Sequence, residues 1–316
     1  MSADMAAGTE AGEGGKDRED REDREGGAPG GSGPENGGLR DRLVYLAVLS
    51  RPRFWLYLAG PVVVGVAAAA SAPSELFGRQ PVALFAYFLV PANVFLYGVN
   101  DVFDADVDEA NPKKDDREAR WRGDPLTSAV VAASGLLGVG LFALAPRVAW
   151  PWLAAHFFLA VEYSAPPLRF KTTPLLDSVS NGLYVLPGVA AYAAVSGSNP
   201  PMLAVAGAWL WTMGMHTFSA IPDIEPDREA GIRTTATALG ERRTYWYCAA
   251  TWALAAVAFA AVDLRLGALL AAYPVVVLGI VAAGVDVDRA YWWYPVINTV
   301  VGMLITLGAL WRLVNG

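Results

Sequence analysis

The sequence is poor in charged residues, in lysine and in cysteine, and these shortages exclude whole classes of protein. Only 17% of its 316 residues are charged, against roughly a quarter in soluble proteins, so an ordinary soluble domain is excluded. A single cysteine, Cys248, rules out a disulfide within the chain. The basic residues are nearly all arginine, and the formal net charge is −7. We therefore expect no nucleic-acid partner.

What the sequence has in excess is long apolar runs. Hydrophobic residues make up 54% of the chain, and they fall in blocks rather than in alternating or amphipathic stripes. Blocks of about 18 residues or more are typical of transmembrane helices. Eleven tryptophans and twelve tyrosines, many of them near block ends, fit the aromatic belts of membrane interfaces. The predicted spans are 43–70, 81–99, 126–145, 148–163, 175–195, 201–220, 244–262, 264–284 and 292–313. The sequence therefore predicts an all-α, polytopic membrane bundle of about nine transmembrane helices.

Residues 1–39 differ in composition from the rest of the chain. They are rich in glycine, and residues 17–25 are all charged. With so few apolar side chains, nothing offsets the entropy lost on ordering, so we predict a disordered acidic tail rather than a signal peptide. Residues 40–316 are predicted to form the transmembrane domain. The acidic balance is typical of a high-salt host, although codon bias combined with an acidic tail would also produce it.

Basic residues are distributed unevenly between the connections that join the predicted spans. The connections at 100–125, 164–174 and 221–243 are rich in arginine and lysine, whereas those at 71–80 and 263–265 hold one arginine each. The positive-inside rule places the N-terminus and the basic connections in the cytoplasm. We therefore predict a multi-pass protein of the cell membrane with its charged loops on the cytoplasmic side.

A first acidic cluster lies at the end of the second predicted span. Asn100, Asp104 and Asp108 recur at intervals of four residues, so on a helix they share one face, and Asp101 lies one step round. Like charges at this spacing repel one another, and a cation between them removes that penalty. Oxygen ligands suit magnesium, which commonly bridges carboxylates to substrate phosphates. The cluster therefore predicts a magnesium site, with a solvated acidic helix end as the alternative.

A second acidic cluster follows the sixth predicted span. Asp223 and Asp227 are again four residues apart. Pro226 lies between them, and a proline breaks a helix interior, so we expect the helix to end or restart here. The direction of these side chains is therefore open, and Glu225 is an alternative ligand to either aspartate.

A third element follows the fourth predicted span and supplies basic residues. Tyr163 is followed by a double proline, which predicts an extended exit from the helix. Beyond it, Arg169 and Lys171 are placed to contact an anion. Arg228 and Arg233, beside the second acidic cluster, are comparable candidates. For all four residues the alternative role is to set the membrane topology.

Taken together, these three elements resemble the UbiA superfamily of intramembrane prenyltransferases, and the resemblance covers about residues 43–313. It implies a helical bundle around a central cavity, in which two magnesium ions held by the aspartates bind an isoprenyl diphosphate. It also implies a new carbon–carbon bond to a lipophilic acceptor. The predicted metal ligands are Asn100, Asp101, Asp104, Asp108, Asp223 and Asp227. The predicted diphosphate contacts are Asn100, Lys171, Arg169, Arg228 and Arg233. The predicted catalytic residues are Asp104, Asp108, Asp223, Asp227 and Tyr163.

The stretch after the first motif bears on the acceptor. Many family members that use aromatic or glycerol-ether acceptors carry an Arg-Pro segment ending in glycine there, whereas residues 111–121 begin Asn-Pro-Lys-Lys. This departure disfavours quinone, chlorophyll and ether-lipid acceptors. The sequence around both motifs looks like that of the lycopene elongases of haloarchaea, which implies dimethylallyl diphosphate as donor and lycopene as acceptor, with hydration left open. Prenyl transfer to a quinone precursor or ether lipid is the runner-up.

A cation transporter is the alternative from another functional class. Transporter ion sites usually lie near the membrane midplane, whereas these carboxylates lie at one face beside basic loops. Two histidines lie inside predicted spans, His156 and His216. His216, about two turns before Asp223, is a candidate proton relay, and a hydrogen-bonded structural histidine is the alternative.

Overall fold

The computed structural model describes residues 39–108 and 125–315. All regular secondary structure in these two ranges is helical, which confirms the all-α prediction. The first eight α-helices are α1 (Leu39–Leu49), α2 (Trp55–Ala69), α3 (Arg79–Leu89), α4 (Pro91–Asp108), α5 (Pro125–Leu144), α6 (Trp150–Glu162), α7 (Leu176–Val179) and α8 (Leu186–Ser196). The others are α9 (Met202–Ser219), α10 (Ile224–Glu229), α11 (Thr235–Leu239), α12 (Glu241–Ala260), α13 (Leu264–Leu270), α14 (Ala272–Ala283) and α15 (Val287–Asn315).

Within the described ranges, five helical segments are long and apolar enough to cross a membrane. They are Arg42–Ala69, Arg79–Asp104, Pro125–Leu144, Leu264–Ala283 and Val287–Asn315. Large apolar side chains point outward from the bundle, among them Leu136 and Leu137 on α5. Such exposure is unfavourable in water and natural against lipid tails. The chain is therefore a multi-pass membrane protein.

The other four predicted spans are helical as well, but none of them is among these five segments. The span predicted at 148–163 corresponds to α6, which has 13 residues. The span at 175–195 is divided among α7, a 3₁₀ turn at Ser180–Tyr184 and α8. The span at 201–220 corresponds to α9, and the one at 244–262 lies within α12 and its end. The count of nine transmembrane helices therefore stays a prediction.

Helices α2 and α8 cross at very close range because both carry glycine at the crossing. A Cβ built on Gly65 would lie 2.1 Å from the carbonyl oxygen of Gly188. A Cβ on Gly188 would lie 2.4 Å from the carbonyl oxygen of Pro61. Only glycine permits such an approach of two backbones, and small residues at helix crossings are typical of membrane bundles.

The buried side chains form two large clusters, one in each half of the bundle. The first gathers side chains of α2, α3, α4, α6 and α8, with Phe88 and Leu153 fully buried. The second gathers α9, α12, α14 and α15 around Phe218, Trp252 and Tyr294, whose rings pack against one another. Because lipid tails are as apolar as these side chains, the halves are held by van der Waals packing and hydrogen bonds rather than by exclusion of water.

The segment that joins α1 to α2 contacts the last helix of the chain. The guanidinium of Arg53 lies 3.8 Å from the ring centroid of Trp292 and 5.3 Å from that of Tyr291, both on α15. Helix α15 also packs along α2. The first and last long helices of the described chain are therefore neighbours.

Candidate active site

The C-terminal part of α4 carries the first acidic cluster, and basic side chains already contact it. Lys171 Nζ donates to Asn100 Oδ1 at 3.2 Å and also bonds to the Asp104 carboxylate. Arg169 Nη2 donates to the other carboxylate oxygen of Asp104 at 3.1 Å. Ser164 Oγ completes the group by donating to Asn100 Oδ1 at 2.7 Å. Since one ammonium group reaches Asn100 and Asp104, these two side chains share a face, as their spacing predicts.

The loop after α6 curls back toward α4 instead of leaving in an extended form. The Lys171 amide donates to the Tyr163 carbonyl at 3.0 Å, and the Arg169 amide donates to the Ala165 carbonyl at 2.9 Å. The expectation of an extended exit was therefore wrong. These backbone bonds form a compact turn, and that turn directs Arg169 and Lys171 at the acidic cluster.

Asp101, the next residue on α4, is linked to this group through Asn100, whose side-chain amide donates to the Asp101 carboxylate at 3.5 Å. Asp101 is buried, and its carboxylate pairs with Arg51 at 3.4 Å, while the Arg51 guanidinium lies 4.5 Å from the Tyr97 ring centroid. The structure thus gives Asp101 a partner on the segment between α1 and α2, which the sequence analysis did not anticipate. Asp108 is the last residue of α4, and its side chain lies outside the described part of the chain.

The second acidic cluster lies where α9 gives way to α10, as Pro226 predicts. Asp223 immediately precedes α10, and its carbonyl accepts from the Asp227 amide at 2.8 Å. Glu225 is exposed and pairs with Arg228 at 2.7 Å, so it points away from a shared acidic site. Arg228 also donates to the Thr237 carbonyl at 3.0 Å.

A surface pocket lies beside this second cluster. Arg228 and Arg233 both line it, together with residues of the segment that leads into α11. Two guanidinium groups at one pocket are a suitable lining for a phosphate. The two arginines that the sequence singled out are therefore brought together.

A buried aspartate that the sequence analysis missed lies between the two acidic clusters in the chain. Asp177 on α7 is fully buried. Its carboxylate accepts from the Thr235 backbone amide at 2.9 Å and from the Thr235 hydroxyl. His216 Nε2 lies 3.9 Å from the same carboxylate. The signal was available in the sequence, since Asp177 is an ionisable residue inside a predicted span, and such residues are functional candidates.

Aromatic side chains connect these polar groups. The Tyr163 ring meets the His216 ring edge-on, with centroids 6.0 Å apart. The Tyr97 and Tyr184 hydroxyls are 3.5 Å apart, and the Tyr184 ring packs edge-on against Tyr57 at 6.2 Å. Aromatic faces of this kind stabilise cations. Tyr163 is therefore positioned between the basic loop and the buried pair of Asp177 and His216.

The described residues do not by themselves assemble a complete metal site. Within 39–108 and 125–315, no three His, Cys, Asp or Glu side chains come close enough to hold an ion together. Asn100 and Asp104 do offer oxygen donors of the kind that magnesium takes. The binding of two magnesium ions therefore stays a prediction.

Comparison with known proteins shows the family of the chain. The sequence pattern of the UbiA prenyltransferase family matches residues 58–312. The chain belongs to this family. It is 89% identical, over the full length of both chains, to the lycopene elongase/hydratase of Haloferax volcanii. It is 66% identical to the lycopene elongase/hydratase of Halobacterium salinarum, over 86% of this chain and 99% of that one.

The fold agrees with solved structures of UbiA proteins. A UbiA homolog from Archaeoglobus fulgidus, bound to DMAPP and Mg²⁺, superposes with a TM-score of 0.65 at 20% identity. The match covers 84% of this chain and 98% of the homolog. A UbiA homolog from Aeropyrum pernix matches with a TM-score of 0.63 over 82% of this chain and 98% of that one. This UbiA protein is thus a membrane-embedded prenyltransferase, and the transporter alternative is excluded.

Proposed function

We propose that the protein transfers a dimethylallyl group from its diphosphate to an end of lycopene, with magnesium as the cofactor, and that water captures the resulting cation. The observation that carries the proposal is the convergence of Lys171 and Arg169 on Asn100 and Asp104. Cationic and oxygen-rich groups at one helix end suit a diphosphate bound through a metal ion. Acceptor and hydration are supported by the names of the haloarchaeal relatives.

In this proposal the two acidic clusters hold two magnesium ions, one at each cluster. Asn100, Asp104 and Asp108 hold the first ion, with Asp101 as a further ligand. Asp223 and Asp227 hold the second. Magnesium bound there supplies electrostatic stabilisation of the departing diphosphate.

The basic side chains have the task of binding and orienting the diphosphate. Lys171 and Arg169 already contact the cluster that would hold the ion, so a small rotation of either side chain exchanges a carboxylate for a phosphate oxygen. Arg228 and Arg233 line a pocket beside the second cluster. Guanidinium groups bind phosphate in two-pronged fashion, so these arginines fix its orientation.

The apolar part of the site has the opposite task of protecting a carbocation. Loss of diphosphate leaves an allyl cation, which bulk water would destroy. The Tyr163 face stabilises such a cation. Attack by the terminal double bond of lycopene then forms the new carbon–carbon bond and leaves a tertiary cation on the acceptor.

Recognition of lycopene would rest on burial of its chain. Lycopene carries no polar head group and is dissolved in the bilayer, so its contacts with cavity side chains replace contacts with lipid tails, and close packing decides which chain fits. Residues 111–121, where the family's Arg-Pro segment is replaced, lie outside the described residues. The runner-up remains transfer to a quinone precursor or an ether lipid.

The proposal includes a transmembrane topology for the protein. Nine spans surround a central cavity, the N-terminus and both acidic clusters face the cytoplasm, and residues 1–39 form a tail outside the transferase domain of 40–316. The support is the excess of arginine and lysine in the long connections.

Purified enzyme with magnesium and dimethylallyl diphosphate tests the acceptor. We expect lycopene to be elongated, as measured by mass spectrometry of the extracted pigments. 4-Hydroxybenzoate, dihydroxynaphthoate and geranylgeranylglyceryl phosphate should remain unmodified, because the site is proposed to recognise an apolar chain. Turnover of any of these three with lycopene unchanged would refute the carotenoid acceptor and leave the prenyltransferase assignment standing.

A further inference from the structure

Asp177 is a carboxyl group buried inside a membrane bundle, which is an unusual place for one. Its side chain is 1% exposed. Burial of a carboxylate is costly unless hydrogen bonds and a cation compensate for the lost water. The two Thr235 bonds supply part of this compensation. His216 is placed to supply the cation when its ring is protonated.

The position of Asp177 is fixed on both sides. Thr235 donates to its carboxylate and also accepts from the Leu175 amide at 2.8 Å. The neighbouring Ser178 donates to the Met213 carbonyl and bonds with Thr217 on α9, at 3.2 and 2.9 Å. The short helix α7 is thereby tied to both α9 and α11. These bonds hold the Asp177 carboxylate in one position, from which it can orient the neighbouring His216 ring.

His216 is the accessible member of the pair. Its side chain is 20% exposed, whereas that of Asp177 is sealed. It lies on α9, seven residues before Asp223 in the sequence. Its ring also meets that of Tyr163. Of the two groups, the imidazole is therefore the one that a small molecule can contact.

We propose that His216 is the general base of the hydration step and that Asp177 and Thr235 are positioning residues for it. The inference rests on the proposed function. Nε2 is the ring nitrogen that lies 3.9 Å from the Asp177 carboxylate. In the tautomer that carries its proton on Nε2, the lone pair lies on Nδ1. A water oxygen bonds to the tertiary carbon of the elongated acceptor while one of its O–H bonds breaks. That proton goes to Nδ1, which leaves a neutral alcohol and an imidazolium beside the carboxylate, and it then passes to solvent.

The alternative fate of the same cation is loss of a proton from an adjacent carbon, which leaves an alkene. When His216 holds a water molecule and acts as its base, the cation reacts with that water and becomes the alcohol. Without it, the cation loses its proton to the departing pyrophosphate or to any other base nearby. The ratio of alcohol to alkene therefore reports on His216, whereas the total elongated product reports on the transferase site.

Expression of full-length His216→Gln in a lycopene-producing host tests this. Glutamine retains a donor toward Asp177 and has no basic nitrogen. We expect elongation to persist while the ratio of alcohol to alkene falls by about 10²-fold, the lower end of general-base effects. The matched control is His156→Gln, because His156 is also a buried bundle histidine, bonded to the Leu183 carbonyl at 2.9 Å. It should leave the ratio unchanged.

The outcomes separate the inference from the function on which it rests. An unchanged ratio in His216→Gln overturns the base role, as does loss of both products in a protein that inserts normally. A wild-type protein that elongates lycopene only to the alkene also overturns it, and leaves the transferase intact. A wild-type protein that leaves lycopene unmodified refutes the proposed function itself. If His216→Gln fails to accumulate, Asp177→Asn takes its place, with the same fall in ratio expected.

Discussion

Lys171 connects two parts of the site that are far apart in the sequence. Its ammonium bonds to both Asn100 and Asp104, which lie about 70 residues earlier in the chain. Without a cation beside it, Asp104 would be a half-buried carboxylate next to other acidic residues. The same cation neutralises the carboxylate and lies ready for a phosphate. Lys171 thus couples the stability of the site to its binding role.

Asp104→Asn and Asp223→Asn should each abolish turnover while the protein still inserts. Each change removes a ligand charge from a separate proposed metal site, and we expect rates to fall by about 10² or more, by analogy with loss of one oxyanion donor. Pyrophosphate release at saturating magnesium measures this. Glu225→Gln is the control, because Glu225 is exposed and its carboxylate pairs with Arg228. A rate above about a tenth of wild type in either aspartate variant would refute the assignment of a metal site to each of the two acidic clusters.

At the scale of the element, the close crossing of α2 and α8 determines the distance between the two sides of the first buried cluster. Gly65 and Gly188 let the backbones touch, and this brings the tyrosines of α2 and of the segment before α8 into contact. Tyr57 and Tyr184 belong to the aromatic lining near the site. The crossing therefore determines the shape of that lining.

Gly65→Ala should destabilise the bundle by about 1–3 kcal/mol, because its methyl group would overlap the Gly188 carbonyl and force the helices apart. Gly60→Ala on the same helix is the matched control, since a Cβ there meets nothing within 4 Å. It should be neutral or stabilising by about 0.5–1 kcal/mol. Thermal unfolding of both variants in detergent measures the difference. Equal stabilities of the two variants would show that α2 and α8 can move apart at their crossing without destabilising the bundle.

Element-level features were predictable from the sequence to different degrees. Long apolar blocks predicted the helices, because lipid demands them, and Pro226 correctly predicted the break after α9. The turn after α6 was missed, since two backbone hydrogen bonds, not the prolines alone, decide its path. The pairs Arg51–Asp101 and Asp177–Thr235 join residues 50 and 58 apart, and no local pattern encodes such contacts. Contact of Lys171 and Arg169 with a diphosphate stays a prediction, and their bonds to Asn100 and Asp104 were not predicted.

At the scale of the whole molecule, the transferase domain and the N-terminal segment are proposed to have separate tasks. Deletion of residues 2–38 should leave the rate nearly unchanged, because the segment has no apolar anchor and precedes the first span. Pyrophosphate release per inserted molecule is the measurement. A large fall in this rate would contradict the division at residue 39, whereas a lower yield alone bears on solubility in salt.

The contact of Arg53 with Trp292 and Tyr291 has a consequence for biogenesis. A ribosome makes the chain in order, so α2 enters the membrane early and α15 last. The face of α2 that receives α15 therefore stays open to lipid until translation has finished. A nascent chain that stops short of α15 leaves this face, and the arginine beside it, without the aromatic cover it has in the finished protein. The last helix to be made thus completes the surroundings of an arginine that is among the first residues of the bundle to be made.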